Sequence, residues 1–167
     1  VEMACAIATH TEADAANGLA DEARMARAPR DFEQWHPWAL EADAAVSLAL
    51  EAEAAGRDFD ARISNSEGAS VSTNEGLSVY ANSHGFIGRE KSTSHSISAS
   101  LIAGSGDAMQ GQYWYTAALK AGALESAAHV GRKAAERTLA RLDPRPAPTG
   151  ELPVLFVPEV ARSLIAH

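Results

Sequence analysis

Six histidines are the first side chains that could carry chemistry, at positions 10, 36, 84, 95, 129 and 167. A zinc peptidase places two histidines one helical turn apart with a glutamate between them, as in HExxH, because that spacing brings both imidazoles to one helix face. No pair here has that spacing. His84 and His95 could meet across a hairpin, but no carboxylate or cysteine accompanies them, so we interpret both as solvated. The sequence predicts no metal ligands in this chain.

Serines and the single cysteine are the next candidates, as nucleophiles. Ser83-His84 and Ser94-His95 each put a hydroxyl beside an imidazole. Neighbouring residues on a strand point to opposite faces, however, and no GxSxG elbow is present. Cys5 lies in an alanine-rich apolar stretch, which predicts a buried, inert thiol that has no internal disulfide partner. We therefore predict no catalytic residue in this chain.

Short strands would position most of these side chains, because apolar and polar residues alternate with a period of two in the middle of the chain. The alternating segments are residues 63–66, 69–73, 77–82, 95–103 and 112–116. Between them lie polar breaks that each contain a glycine suited to a tight turn, at residues 67–68, 74–76, 83–85 and 104–107. The pattern predicts an antiparallel meander of about five strands.

Helical spacing indicates the elements that pack on this meander. We predict helices over Val1–Thr9, over Leu40–Ala55 with Gly56 as its stop, over Leu124–Leu142, and from Pro158 onward with Val160, Leu164 and Ile165 facing inward. The apolar run 154–157 predicts a short buried strand. Five aromatic residues are expected to pack against the core or an interface, namely Trp35, Trp38, Tyr113, Trp114 and Tyr115.

These elements predict an α+β fold in which helices pack on an antiparallel meander. Residues 1–143 would form a helix, sheet and helix unit, 144–150 a proline-rich linker, and 151–167 the start of a further domain. The chain begins at Val1 without an initiator methionine and ends within a helical pattern. We therefore expect a central fragment of a longer protein.

Charge and hydropathy favour some partners over others. The 167 residues have a formal net charge of −8, whereas nucleic-acid binding proteins usually present a basic face. No apolar run approaches the roughly 20 residues that cross a bilayer, and residues at the N-terminus lack the basic-then-apolar layout of a signal peptide. We predict a cytoplasmic protein that binds neither nucleic acid nor membrane directly.

Several motifs follow one another along the whole chain: GLAD (18–21), NSEGAS (65–70), NSHGF (82–86), STSHS (92–96), GDAMQ (106–110), YWYT (113–116), RTLARL (137–142) and VLFVPEVARSLIAH (154–167). Each motif is weak alone, but their order is specific. The series resembles the PmbA/TldD family of bacterial proteins, often labelled modulators of DNA gyrase, and within it the PmbA (TldE) branch.

This resemblance implies a subunit that pairs with a TldD-like partner in a zinc metalloprotease complex. Such a complex acts on unfolded peptides, in peptide-antibiotic maturation and in removal of a toxin's antidote. The family's partner carries HExxxH, whereas this chain has Ala166 and His167 near the positions of the first zinc histidine and the glutamate. The resemblance thus implies no cofactor in this chain and zinc in the partner subunit. Self-association of the isolated chain stays open.

Two groups of family-motif residues are candidates for a structural or substrate-cleft role, namely Asn65, Glu67 and Gly68, and Asn82, Ser83, His84 and Gly85. An exposed strand in such a cleft could hold an extended peptide through main-chain hydrogen bonds. The alternative is a non-proteolytic regulator that binds DNA gyrase or another cytosolic protein. A third hypothesis, an independent hydrolase, has no supporting cluster of residues.

Overall fold

The centre of the chain is organised around one antiparallel sheet. The computed structural model describes residues 1–14 and 16–166. Its strands are β1 (Ile63–Ala81), β2 (Ile87–Ala103) and β3 (Gln110–Ala118), in the spatial order β1-β2-β3. Its helices are α1 (Glu2–His10), α2 (Ala42–Arg57), α3 (Ala127–Leu139) and α4 (Pro158–Ile165). The predicted α+β class, with helices on an antiparallel meander, is confirmed.

The predicted number of strands is wrong, because two of the expected turns lie inside one long strand. Residues 74–76 stay extended and pair with Ser94, Thr93 and Ser92 of β2. Gly68 has a φ of 105°, but it forms a bulge in the ladder rather than a turn. The two remaining turns are confirmed at residues 83–85, where Gly85 has a φ of 82°, and at 104–107.

Helices α2 and α3 pack closely through two glycines. A Cβ at Gly131 would lie 1.9 Å from the carbonyl oxygen of Ala52, and one at Gly56 would lie 2.9 Å from the carbonyl oxygen of Gly131. The prediction that Gly56 ends α2 is therefore wrong. The helix continues to Arg57, and Gly56 belongs to its buried face. At the start of α3, the Ser126 side chain accepts a hydrogen bond from the His129 N–H at 3.2 Å. This cap makes the helix begin at Ala127 rather than at the predicted Leu124.

The core lies between these two helices and one face of the sheet. Strand β2 contributes every second residue from Ile97 to Ala103, as its predicted alternation requires. The remaining buried apolar residues are Ala52, Ile63, Ala127, Val130, Ala134 and Ala135. Because most are alanine, helix and sheet backbones approach closely, and Leu101 is the largest fully buried side chain. The central strand β2 therefore depends most on this packing.

The segments that contain α1 and α4 lie outside the core, contrary to three predictions. Cys5 is exposed, because α1 contains no buried residue. Residues 154–157 are exposed and form no strand. Helix α4 begins at Pro158 as predicted, but Val160, Leu164 and Ile165 are exposed, since α2 and α3 already occupy the helical face of the sheet. The boundary at 144–150 stays a prediction.

Candidate functional site

The face of the sheet opposite α2 and α3 is polar and accessible. Ser98 of β2 lies beside Ser70 of β1 and Tyr115 of β3, and Ser100 lies beside Gly68 and Tyr113. These residues alternate with the buried Ala99 and Leu101, so they point away from the helices. We call this surface the open face and define it by Glu67, Ser70, Ser98, Ser100, Tyr113 and Tyr115.

A bulge in β1 brings Glu67 onto the open face. The ladder between β1 and β2 shifts register between Ser66 and Gly68, which leaves Glu67 as the extra residue. The Ser66 hydroxyl accepts a hydrogen bond from the Gly68 N–H at 2.8 Å, and the φ of 105° at Gly68 favours glycine. Glu67 Oε2 accepts a hydrogen bond from the Ser100 hydroxyl at 2.5 Å. The bulge therefore aims a carboxylate across the neighbouring strand.

A shallow groove of about 410 Å³ follows this row of side chains, lined by Glu67, Gly68, Ala69, Ser70, Ser98, Ala99, Ser100 and Tyr113. The hydroxyls of Ser70 and Ser98 are 2.9 Å apart and bond to each other. The rings of Tyr113 and Tyr115 stack with centroids 6.3 Å apart and an interplanar angle of 25°. The groove therefore offers hydroxyls, one carboxylate and aromatic faces.

The second motif group forms the turn between β1 and β2. Asn82 Oδ1 accepts hydrogen bonds from the N–H groups of His84 and Phe86, at 3.1 and 3.3 Å. The left-handed conformation of Gly85 completes the turn. Ser83 and His84 are exposed at its tip. Asn82 and Gly85 thus shape the hairpin. The Nδ2 atom of Asn82 is buried and has no hydrogen-bond partner among the described residues.

The two motif groups do not meet. Asn65, Glu67 and Gly68 lie at one end of β1, and Asn82 follows its other end. At roughly 3.3 Å per residue, about 45 Å of strand separates Gly68 from Asn82. They belong to different surfaces of the molecule, and of the two only the Glu67 end adjoins the open face.

His95 is buried, so the prediction that it is solvated is wrong. Its Nδ1 lies 2.9 Å from the Thr73 hydroxyl and its Nε2 lies 2.9 Å from the carbonyl oxygen of His36. Because that carbonyl can only accept, Nε2 carries a hydrogen and donates it. Trp38 contacts the imidazole edge-on at 5.5 Å. His95 thus joins β1, β2 and the segment before α2, far from the exposed His84.

That segment extends the sheet where β3 ends. The Thr93 N–H donates to the carbonyl oxygen of Gln34 at 2.9 Å, and the His36 N–H donates to the Thr93 hydroxyl at 3.0 Å. Lys91 lies over the ring of Trp35 at 5.3 Å. The outer edge of β2 beyond β3 is therefore covered, whereas β1 lies at the edge of the sheet along its whole length.

The aromatic prediction holds for some of its residues. Trp114 packs against the core, and its Nε1 donates to Glu125 at 2.8 Å. Tyr113 and Tyr115 are 55% and 41% exposed, because alternation turns them to the opposite face. Ser100 and Tyr113 are a pair that no local pattern indicates. Their alternation was visible, but only the register of β2 with β3 shows that they are neighbours.

Two carboxylates outside the open face have altered pKa values. The side-chain hydrogen bonds of Arg62, with its backbone N–H, lower the pKa of Asp60 from 3.8 to about 2. The hydrogen bond from Lys133 lowers the pKa of Glu136 on α3. Each carboxylate pairs with a cation only two or three residues away in the sequence.

The family follows from comparison with known proteins. Residues 35–142 match the family model described as the PmbA/TldA metallopeptidase central domain. This chain belongs to the PmbA/TldD family. The matched residues include β1, β2, β3, α2 and α3, so the family domain coincides with the sheet and the two helices that cover it. The predicted family is confirmed.

Named relatives agree with this assignment. The chain is 41% identical over its full length to a metalloprotease PmbA homologue of Haemophilus influenzae, and 38% identical to metalloprotease PmbA of Escherichia coli O157:H7. It spans 37% of the length of each of these relatives. The expectation that the chain is a fragment fits that coverage.

Solved structures share the fold. A proposed modulator of DNA gyrase from Bacteroides thetaiotaomicron superposes with a TM-score of 0.70 at 28% identity, covering 83% of this chain and 32% of that one. A similarly described protein from Thermotoga maritima gives a TM-score of 0.58 at 18% identity, over 75% of this chain and 28% of that one. The second likeness concerns the fold alone.

The metallopeptidase family implies a zinc ion, and the described side chains do not fit one. Within residues 1–14 and 16–166, no group of three or more histidine, cysteine, aspartate or glutamate side chains could hold a metal ion. His129 and Glu125 approach to 3.8 Å as a single pair, and both nitrogens of His95 are engaged within the fold. We assign no step of hydrolysis to these residues. His167 lies outside the described residues.

Within residues 1–14 and 16–166, no helix combines the length and the apolar character needed to cross a bilayer.

Proposed function

We propose that this chain is the central part of a non-catalytic, TldE-like subunit of a PmbA/TldD-type metalloprotease complex. In this proposal a TldD-like partner holds the zinc, and this subunit helps to hold unfolded peptides for processing or degradation. One observation carries the proposal: the long strand β1 lies at the edge of the sheet, beside the polar open face. An edge strand binds an extended peptide through main-chain hydrogen bonds and so tolerates many sequences.

The register identifies the backbone groups that would meet such a peptide. The Thr93 N–H points away from β1, because it donates to Gln34. Thr93 is opposite Glu75, and both members of a non-hydrogen-bonded antiparallel pair direct their backbone groups outward. Glu75 therefore presents its N–H at the outer edge of β1. Alternate residues of this strand would supply the further donors and acceptors.

A proline at Glu75 tests this edge. Proline removes the outward N–H without removing a hydrogen bond of the β1–β2 ladder, so the sheet should tolerate it. We expect Glu75→Pro to weaken binding of a labelled unfolded peptide several-fold, whereas the control Glu75→Thr should bind nearly as the parent protein does. Fluorescence anisotropy measures the affinities. Equal binding by the two variants would rule out peptide addition at this edge.

The subunit role is tested by reconstitution. The full-length protein is assayed for hydrolysis of an unfolded peptide alone, mixed with a TldD-like partner that carries HExxxH, and mixed in the presence of a chelator. We expect hydrolysis in the mixture only, and its loss with the chelator. Zinc-dependent hydrolysis by this protein alone would contradict the non-catalytic assignment.

The second candidate is a regulator that binds DNA gyrase without proteolysis. The description of the related Bacteroides structure favours it. With a net charge of −8, the chain suits a protein target better than DNA. A change in gyrase supercoiling on addition of the protein, together with no hydrolysis in the reconstituted mixture, would favour this candidate. Unchanged supercoiling would count against it.

A further inference from the structure

The groove on the open face has one charged group. Of its eight lining residues, Glu67 alone carries a formal charge, and the others contribute hydroxyls, methyl groups, backbone and the Tyr113 ring. No lysine, arginine or histidine is among the lining residues, so the Glu67 carboxylate has no cation beside it there. The groove is therefore complementary to a positive charge.

Glu67 is held ready for such a ligand. The bulge fixes its backbone, and the Ser100 hydroxyl donates to Oε2. In the described part of the chain Oε1 accepts no hydrogen bond. A carboxylate with one oxygen oriented by a neighbour and the other available can accept a charge-assisted hydrogen bond from an ammonium or guanidinium group.

The tyrosines add a second attraction for a cation. Ser100 lies beside Gly68 on one side and Tyr113 on the other, so Glu67 and Tyr113 flank the same position of β2. Tyr113 and Tyr115 are exposed and stacked, and their ring faces carry the negative part of the aromatic quadrupole. Ring faces of this kind bind lysine and arginine side chains.

We infer that the groove binds a lysine or arginine side chain of an extended peptide that is added to the outer edge of β1. This inference rests on the proposed function. A strand added at that edge would lie about 4.8 Å from β1. Every second side chain of the added strand would point to the open face, on the side where Glu67 lies. A lysine or arginine side chain is long enough to cross that spacing. Its charge would lie at the Glu67 carboxylate and its aliphatic stem would lie against the hydroxyls of Ser70 and Ser98.

Matched peptides test the inference on the full-length protein. Three labelled peptides share one unfolded, neutral sequence and carry arginine, norleucine or glutamate at the central position. We expect the arginine peptide to bind about threefold to fivefold more tightly than the norleucine peptide, and the glutamate peptide to bind most weakly. Raising the salt concentration to about 0.5 M should reduce this difference, because the ion pair is solvent-exposed.

Two carboxylate variants locate the effect, and a third variant tests the tyrosine ring. Glu67→Gln keeps the side-chain size and should reduce the preference for arginine over norleucine to about twofold or less, the part that the Tyr113 ring supplies. Glu51→Gln removes an exposed carboxylate from α2 and should keep the preference of the parent protein. Circular dichroism checks that both variants remain folded. Tyr113→Leu should reduce the preference about twofold.

The outcomes separate this inference from the proposed function. If all three peptides bind equally to the parent protein, or if Glu67→Gln keeps the arginine preference, cation recognition in the groove is wrong. Peptide addition at β1 would stand in that case, provided that Glu75→Pro weakens binding. If no peptide binds the parent protein, both proposals are overturned.

Discussion

The two halves of the β1–β2 hairpin belong to one continuous ladder but have different surroundings. Near residues 95–103, β2 is covered by α2 and α3 and flanked by β1 and β3. Near residues 74–94, the hairpin extends past both helices as an arm, where Leu77, Val79 and Ile87 are 60% or more exposed. The β1–β2 hydrogen-bond ladder continues through both halves. The difference teaches that packing, rather than strand pairing, distinguishes the stable part of the sheet from the accessible part.

The largest expected effect comes from truncating the core side of this comparison. Leu101→Ala should destabilise the protein by about 4 kcal/mol, because the residue is fully buried and its removal leaves a cavity. Leu77→Ala on the arm should cost less than about 0.5 kcal/mol. Urea unfolding measures both. A similar loss in the two variants would mean that the arm is packed in solution.

Filling the contact between helices is the next test. Gly131→Ala should cost about 3 kcal/mol, since its Cβ would lie 1.9 Å from the backbone oxygen of Ala52 and the helices would have to separate. Gly122→Ala is the control, because no atom lies within 4 Å of its Cβ position. Thermal unfolding compares the variants. Equal melting temperatures would show that α2 and α3 are not in close contact.

The buried histidine marks the boundary between the two halves. His95→Phe should destabilise the protein by about 2 kcal/mol, because the His36 carbonyl and the Thr73 hydroxyl lose their partners. His84→Phe at the exposed tip should change stability by less than about 0.5 kcal/mol. Chemical denaturation provides the values. If His95→Phe were neutral, the histidine would not connect the segment before α2 to the sheet.

The smallest effect concerns the exposed ion pair that precedes β1. The pKa of Asp60 is about 2 in the folded protein and 3.8 in the absence of its partners, so folding favours the ionised form. This contribution to stability is present above pH 3.8 and is lost as the pH falls toward 2. Asp60→Asn should therefore lose less stability than the parent protein between pH 5 and about pH 2.5.

Urea unfolding at the two pH values measures that difference. Glu136→Gln is a control, because it removes the Lys133 pair on α3 and leaves Asp60 with Arg62. An equal acid-induced loss in the parent protein and in Asp60→Asn would show that the pair makes no contribution to folding stability.

Much of the fold could be predicted from local patterns. The alternation from Ile97 to Ala103 correctly predicted a strand, and the helical spacing correctly predicted α3. The predicted stripe of α3 contains only half of its buried residues, because Ala127, Val130 and Ala134 are also buried. The glycines were ambiguous. Gly68, Gly56 and Gly85 are a bulge, a helix contact and a turn, and a glycine permits all three without indicating which neighbour lies beside it.

The candidate site was only partly predictable. The motif residues Asn65, Glu67 and Gly68 were selected from their resemblance to the family, and Glu67 adjoins the groove. Their distance from Asn82 could not be foreseen, because the turns expected between them would have folded the strand back on itself. Likewise, nothing local to His95 indicates that residues 34–38 cover it.

By itself, the sequence determined the elements whose periodicity is strong, the family, and the absence of a zinc motif of HExxH spacing. These properties depend on residues close together in the chain or on their order. Only the tertiary structure decided which face of the sheet stays open, that a bulge aims Glu67 at Ser100, and that His95 is buried while Cys5 is exposed. Those properties depend on register and on contacts between distant segments, and local composition carries no information about either.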